Sequence, residues 1–262
     1  MDIATFLLVF LFGLIVGAIS SRFGIGGGIL TIPFFRIVMG LPGHAAIATA
    51  LPLTIPTALS GAVVFHKKKL IKYKTAITAG LVGSVFSVAG AYATTFFTSE
   101  QLMTITAFLF FALAYIVLIE KREREKVEAA SLFQKFIKSV IIGAIAGFSS
   151  GLLGIGGGVI IVPLLIWLRH IPMKKAIPTS LATIAIYAVP GSITHHFLGN
   201  VHIDLLAVLL AGSVIGAYLS AKETIKIEEK ELKKSFAALL VFLGIMLLAN
   251  EYVFPVVMST VL

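Results

Sequence analysis

The chain contains no cysteine in 262 residues, which excludes disulfides, thiolate metal sites and thiol redox chemistry. Charge is scarce as well: 13% of residues are Asp, Glu, Lys or Arg, where a soluble domain carries about a quarter. Carboxylates are the scarcer sign, 12 against 21 Lys and Arg. Each one falls in a loop, at a terminus or at the end of an apolar run: Asp2, Glu100, Glu120 to Glu128, Asp204, Glu223 to Glu231 and Glu251. Proton pumps and many cation carriers keep such a group at membrane depth, so a cation-selective pathway is disfavoured. A nucleotide-binding motif is missing, and no stretch would make a soluble ATPase domain, so direct ATP drive is not expected from this chain. His195, His196 and His202 lack a zinc-type spacing, and neither a metal nor a cofactor is expected.

What is abundant is apolar. Hydrophobic residues make up 58% of the chain, and the mean hydropathy is +1.05. Uncharged runs such as Ile3–Ser21, Thr75–Thr98 and Leu102–Ile119 match the ~20 residues a helix needs to cross the hydrocarbon core. The composition predicts an all-α polytopic membrane protein whose partner is the lipid bilayer. The net charge of +9 then belongs to cytoplasmic loops and anionic headgroups, not to nucleic acid. Without a basic n-region or a cleavage site, Ile3–Ser21 reads as a first span and not as a signal peptide.

The chain is also a duplication. Gly24-Ile25-Gly26-Gly27-Gly28 returns as Gly154-Ile155-Gly156-Gly157-Gly158, and laying 24–66 over 154–196 without a gap gives 14 identities in 43 positions. Pro33 matches Pro163, Pro42 matches Pro172, Thr49 matches Thr179, Gly61 matches Gly191 and His66 matches His196; upstream, Gly13, Gly17 and Ser20 match Gly143, Gly147 and Ser150. The organisation expected is a first repeat over 1–120, a basic cytoplasmic linker, in part helical, over 121–138, and a second repeat over 139–262.

Each repeat offers five apolar segments, the second short and the third (Ala45–Phe65) interrupted by Pro52 and Pro56. If all five cross, 20 of the 21 Lys and Arg fall on one side and only Arg36 on the other. That is the asymmetry expected of cytoplasmic loops. Treating the post-glycine pieces as re-entrant, with four spans per copy, scatters the same charges over both sides. Five is odd, so the second copy is expected upside down: two inverted homologous repeats with glycine-broken helices and about 8–10 membrane segments. Inverted repeats are a transporter architecture in which binding occurs near the midplane, where broken helices meet. One glycine cluster is then expected at the inner end of its first segment and the other at the outer end.

A helix that starts after a glycine break presents unpaired N–H groups and the positive end of its dipole, a natural anion site. In a membrane, open backbone persists only where it lines a cavity or packs on protein. Close helix packing alone would also explain the glycines, but the doubled break in an inverted frame points to a substrate site. The candidate residues are Gly26, Gly27, Gly28, Gly156, Gly157 and Gly158, with the hydroxyls of Ser20, Ser150, Thr49 and Thr179. His66 and His196 lie at segment ends and are expected at headgroup level. An intramembrane protease would need a nucleophile and base at depth; Ser149-Ser150-Gly151 suggests one only superficially.

The run from Gly147-Phe148-Ser149-Ser150-Gly151-Leu152-Leu153 through Gly154-Ile155-Gly156-Gly157-Gly158, with Pro163 and Thr179-Ser180, resembles the signature of the sulfite exporter TauE/SafE family. The first copy is similar from Gly17-Ala18-Ile19-Ser20 onward but has Ser21 where the second has Gly151. The resemblance covers nearly the whole chain. It implies a multi-pass plasma-membrane transporter of prokaryotic type with about eight spans. The implied substrate is a small anion of the sulfite, thiosulfate, sulfoacetate or organosulfonate kind. A secondary carrier working by alternating access is the leading expectation, a scaffold without transport the alternative. A homodimer is compatible with either.

Overall fold

A computed structural model describes residues 3–119, 131–199, 201 and 203–253, and every regular element among them is helical. The first copy supplies α1 (Ile3–Phe23), α2 (Gly28–Pro33, continued by a wider turn over Phe34–Val38), α3 (Gly43–Lys67), α4 (Tyr73–Ala93) and α5 (Ser99–Ile119). The second supplies α6 (Leu132–Leu153), α7 (Gly158–Arg169), α8 (Met173–Phe197), α9 (Ile203–Thr224) and α10 (Glu229–Leu248). Eight of these helices are long and apolar enough to cross a membrane; the pieces Gly28–Val38 and Gly158–Arg169 are shorter. The chain is a multi-pass membrane protein.

Helix directions follow from what each glycine touches. On α6, Gly143 lies against Ala79, Gly147 against Gly83 and Gly151 against Ser87, so α6 runs in the same direction as α4. Gly80 meets Ile186, Gly83 meets Tyr187 and Gly191 meets Ser87, which aligns α8 with α4 as well. Against α3 the order reverses: Gly61 meets Leu181 while Gly191 meets Leu51. Thus α3 and α8, the equivalent helices of the two copies, run in opposite directions. The pairing of α4 with α6 recurs one repeat later as α1 with α9, where Gly13 meets Leu209 and Gly17 meets Ser213. These seams admit glycine because the backbones themselves touch, the small-residue packing that holds helices together in lipid.

Since α6 and α8 run the same way, the chain between them must travel back, and α7 with its glycine loop makes that return. The equivalent return in the first copy is α2. Each copy therefore traverses the bundle five times with four full-length helices, so eight spans and an inverted second copy are compatible. Every described Lys and Arg except Arg36 sits at the end of the bundle where α3 gives way to α4. There Arg169 donates to the Lys135 carbonyl, Lys174 to the Ile225 carbonyl, and the Lys72 N–H to Thr179. Arg36 lies at the other end, where its Nε and Nη2 donate to the Glu251 carboxylate at 2.9 and 3.2 Å.

Two expectations need correction. Pro52 and Pro56 do not interrupt the third segment: α3 continues through both as one 25-residue helix. The hydroxyls of Thr54 and Thr57 bond back to the carbonyls of Leu51 and Leu53 in that stretch, and neighbouring helices and hydroxyls make proline tolerable in such a setting. Likewise Lys222–Lys234, which the sequence suggests as an acidic-basic loop between the last two segments, is largely helix: α9 runs to Thr224 and α10 begins at Glu229. Of the linker, 121–130 lies outside the described residues; α6 takes up the rest, started by a capping box in which Ser131 and Gln134 bond reciprocally.

Candidate anion site at the crossed glycine breaks

The two glycine stretches lie side by side and antiparallel at the centre of the bundle. A Cβ on Gly28 would stand 2.5 Å from the Gly154 carbonyl oxygen, and one on Gly158 would stand 2.2 Å from that of Gly24. Between these ends, Gly26 and Gly156 both face Thr54, midway along α3, and Gly26 also faces Ile184, the equivalent residue of α8. The breaks do open toward opposite ends, Gly24 beside Ile177 and Gly154 beside Ile47. Each then folds inward until it touches its counterpart, so two stretches separated in sequence meet at one place.

Glycine is required here by conformation as well as space. Gly24, Gly26 and Gly27 have φ of +73°, +77° and +100°, and Gly154, Gly156 and Gly157 repeat the pattern at +63°, +73° and +64°. L side chains rarely adopt this left-handed region. Gly27 and Gly157 cap α2 and α7 without any side-chain bond; the Leu30 and Ile160 N–H groups turn back to the Gly27 and Gly157 carbonyls, and the Gly158 N–H to that of Gly156, so only part of each first turn is left open. The N–H groups of Gly26 and Gly27 find no acceptor among the described residues.

Two side chains add to this donor field. Ser20 and Ser150 are fully buried, and neither hydroxyl has a hydrogen-bond partner. Their carbonyls anchor the breaks, that of Ser20 accepting from Gly24 and Ile25 and that of Ser150 from Gly154. The surroundings differ between copies. The Ser150 hydroxyl lies beside Tyr187 without meeting hydrogen-bond geometry, because the phenol donates to the Gly156 carbonyl. At the equivalent place near Ser20 stands the smaller Thr57, so the first break has more room.

Thr49 and Thr179 are buried but lie one to two turns from the crossing. The Thr179 hydroxyl is engaged with the Lys175 carbonyl and the Lys72 N–H, and Thr49 also has a partner. His66 and His196 are exposed at helix ends, His66 in contact with Tyr73. No group of metal-ligating side chains occurs among the described residues; His202 lies outside them.

The crossing also recruits residues that repeat matching passes over. Ser180 donates to the Gly24 carbonyl at 2.7 Å, so the second copy pins the break of the first. Thr54, Ser180 and Tyr187 occupy positions where the other copy has Ile184, Ala50 and Thr57. A search for identities between copies removes these positions by construction. Their signal lies in the differences.

Eight membrane-length helices, with a shorter helix starting after a glycine break in each copy and the two breaks in contact, define a polytopic membrane protein. The chain belongs to the sulfite exporter TauE/SafE family, whose model matches residues 9–247. That places it among membrane transporters. It is 31% identical to a probable membrane transporter protein, YdhB, of Bacillus subtilis, over 92% of this chain and 98% of that one. A probable membrane transporter protein of Methanocaldococcus jannaschii is 27% identical over 92% and 94% of the two chains. A second from Bacillus subtilis, YunE, is 26% identical over 93% and 97%. No solved structure matches the chain.

Proposed function

We propose that the protein is a secondary carrier of a small sulfur oxyanion or organosulfonate, of the sulfite, thiosulfate or sulfoacetate kind. The anion binds at the crossing of the two glycine breaks, and access alternates by rocking of the inverted halves. The observation that carries this reading is the chemistry of the crossing, where N–H groups and two hydroxyls are buried without partners. Burying such groups unpaired costs about 1–3 kcal/mol each, and an oxyanion with several acceptor oxygens would satisfy them together. Among the described residues no unpaired buried carboxylate opposes it: Glu251, the one that is largely buried, is paired with Arg36 at the bundle end. The positive ends of α2 and α7 act in the same sense. The contacts between the breaks are too close to admit an anion as they stand, so the halves must separate for loading. The basic end of the bundle is the cytoplasmic one on this reading, by the positive-inside rule.

Ligand-dependent unfolding tests the proposal. With purified protein in detergent, one of sulfite, thiosulfate and sulfoacetate at ~100 times its dissociation constant is expected to stabilise the folded state by about 2.7 kcal/mol. Chloride at equal ionic strength is expected to have no such effect. A response to Na⁺ with none to any of the anions would leave the glycines as packing residues.

A further inference from the structure

The second copy carries a buried imidazole that the first lacks. His195, near the end of α8, is 1% exposed, and its counterpart one repeat earlier is Phe65. Its Nε2 lies 2.8 Å from the Gly151 carbonyl oxygen, next to Ser150 and the second glycine break. A carbonyl only accepts, so Nε2 carries the proton and Nδ1 presents a bare lone pair. That Nδ1 has no partner. One turn back along α8 are two more hydroxyls without partners: that of Ser192 itself and that of Ser87 on α4, whose Oγ would stand 2.2 Å from a Cβ on Gly191. Both are at least nine-tenths buried. Their counterparts one repeat away are Ala62 and Ala217, so this polar cluster, drawn from α4 of the first copy and α8 of the second, has no equivalent at the matching place in the other repeat.

Three unsatisfied polar groups beside the crossing are costly unless something enters to use them. We propose that His195 is the proton-binding residue that couples anion movement to protons. A proton taken up at Nδ1 is carried with the anion and released on the opposite side. The charges around it support this. No Asp, Glu, Lys or Arg occurs in 75–97 or 139–158, the stretches of α4 and α6 packed against this part of α8. His44 of α3 is hydrogen-bonded to Ser99 and to the carbonyls of Thr94 and Phe97. Arg36 and Glu251 neutralise each other, Glu100 and His196 are exposed, and Asp204 lies near the start of α9. Among the described side chains no carboxylate lies beside His195 inside the bundle, and the anion at the neighbouring break is the counter-charge of its imidazolium. Each then favours binding of the other, a reciprocal coupling required by linkage. The inference rests on the anion-carrier reading and adds the coupling ion to it.

The experiment uses full-length protein in proteoliposomes with labelled thiosulfate at equal concentration on both sides and the membrane potential clamped at zero. Thiosulfate suits the test because its conjugate acid is too strong to leak across as a neutral species. Acidifying the outside by one pH unit is expected to drive accumulation of about tenfold for one proton per anion. H195Q keeps an N–H for the Gly151 carbonyl but does not titrate; it is expected to exchange thiosulfate for thiosulfate while losing all pH-driven accumulation. S192A, which preserves the imidazole, is expected to keep accumulation. Exchange without pH-driven accumulation in the wild type, or undiminished accumulation in H195Q, overturns the coupling role and leaves the carrier reading intact. Absence of flux for thiosulfate, sulfite and sulfoacetate alike removes both.

Discussion

Gly158→Ala and Gly28→Ala are each expected to cost at least about 3 kcal/mol, at or above the top of the usual range for overpacking a filled interior. A methyl on Gly158 would stand 2.2 Å from the Gly24 carbonyl oxygen and 2.6 Å from the Ile25 Cα; on Gly28 it would stand 2.5 Å from the Gly154 carbonyl oxygen and 2.9 Å from the Ile155 carbonyl carbon. All four obstacles are backbone, held by the partner break, so no side chain can turn away to relieve the clash. Neither residue needs a positive φ, which isolates space from conformation. The control is Gly40→Ala or Gly199→Ala: both have positive φ, but a Cβ there meets nothing within 4 Å, so the cost is the ~1–2 kcal/mol of a left-handed backbone. Thermal unfolding of the four variants in detergent checks the ordering. A Gly158→Ala protein as stable as Gly199→Ala would mean that the two breaks do not touch.

The second large effect separates binding from stability. Ser20→Ala removes a buried hydroxyl that has no partner. Losing an unpaired polar group should leave the unliganded protein as stable as before or slightly more so. The same hydroxyl, if it donates to the bound anion, makes a hydrogen bond to a charged group worth roughly 1.5–3 kcal/mol, so anion affinity should fall about 10- to 100-fold. Ser150→Ala is expected to act in the same direction but less, because Tyr187 crowds the second break and leaves the anion less room beside Ser150 than beside Ser20. Isothermal titration of each variant with the stabilising anion reads affinity, and unfolding without anion reads stability. Unchanged affinity in both variants would move the site away from the breaks.

Much of this architecture is legible in the sequence, because the repeat is written in glycines and prolines whose reasons are geometric. Gly24 to Gly28 and Gly154 to Gly158 announce both breaks, and an odd count of segments with one stray cation, Arg36, announces the inversion. That the two breaks would meet is less accessible. Inversion places them at opposite ends, and only the inward fold of each loop over Thr54 and Ile184 brings them together. Prolines mislead in the other direction: Pro52 and Pro56 read as interruptions in water-based logic, yet α3 passes through both inside the bundle. The polar residues divide along the same line. Ser20 and Ser150 are visible because they match, whereas Tyr187, Ser180 and His195 are hidden because their counterparts are Thr57, Ala50 and Phe65. A site on a two-fold axis need not be symmetric, and residues that break the symmetry escape a reading built on it.

The central claim, carriage of a small sulfur anion through the crossing, is tested most directly by counterflow. Proteoliposomes loaded with unlabelled anion are diluted into a trace of the labelled one, with sulfite, thiosulfate and sulfoacetate tried in turn. The account predicts that at least one labelled anion accumulates transiently above its external concentration, and that Gly27→Leu, which fills the roomier side of the crossing, abolishes the overshoot. Folded wild-type protein that produces no overshoot with any of the three would contradict it, and would favour a membrane scaffold whose crossed glycines serve packing alone.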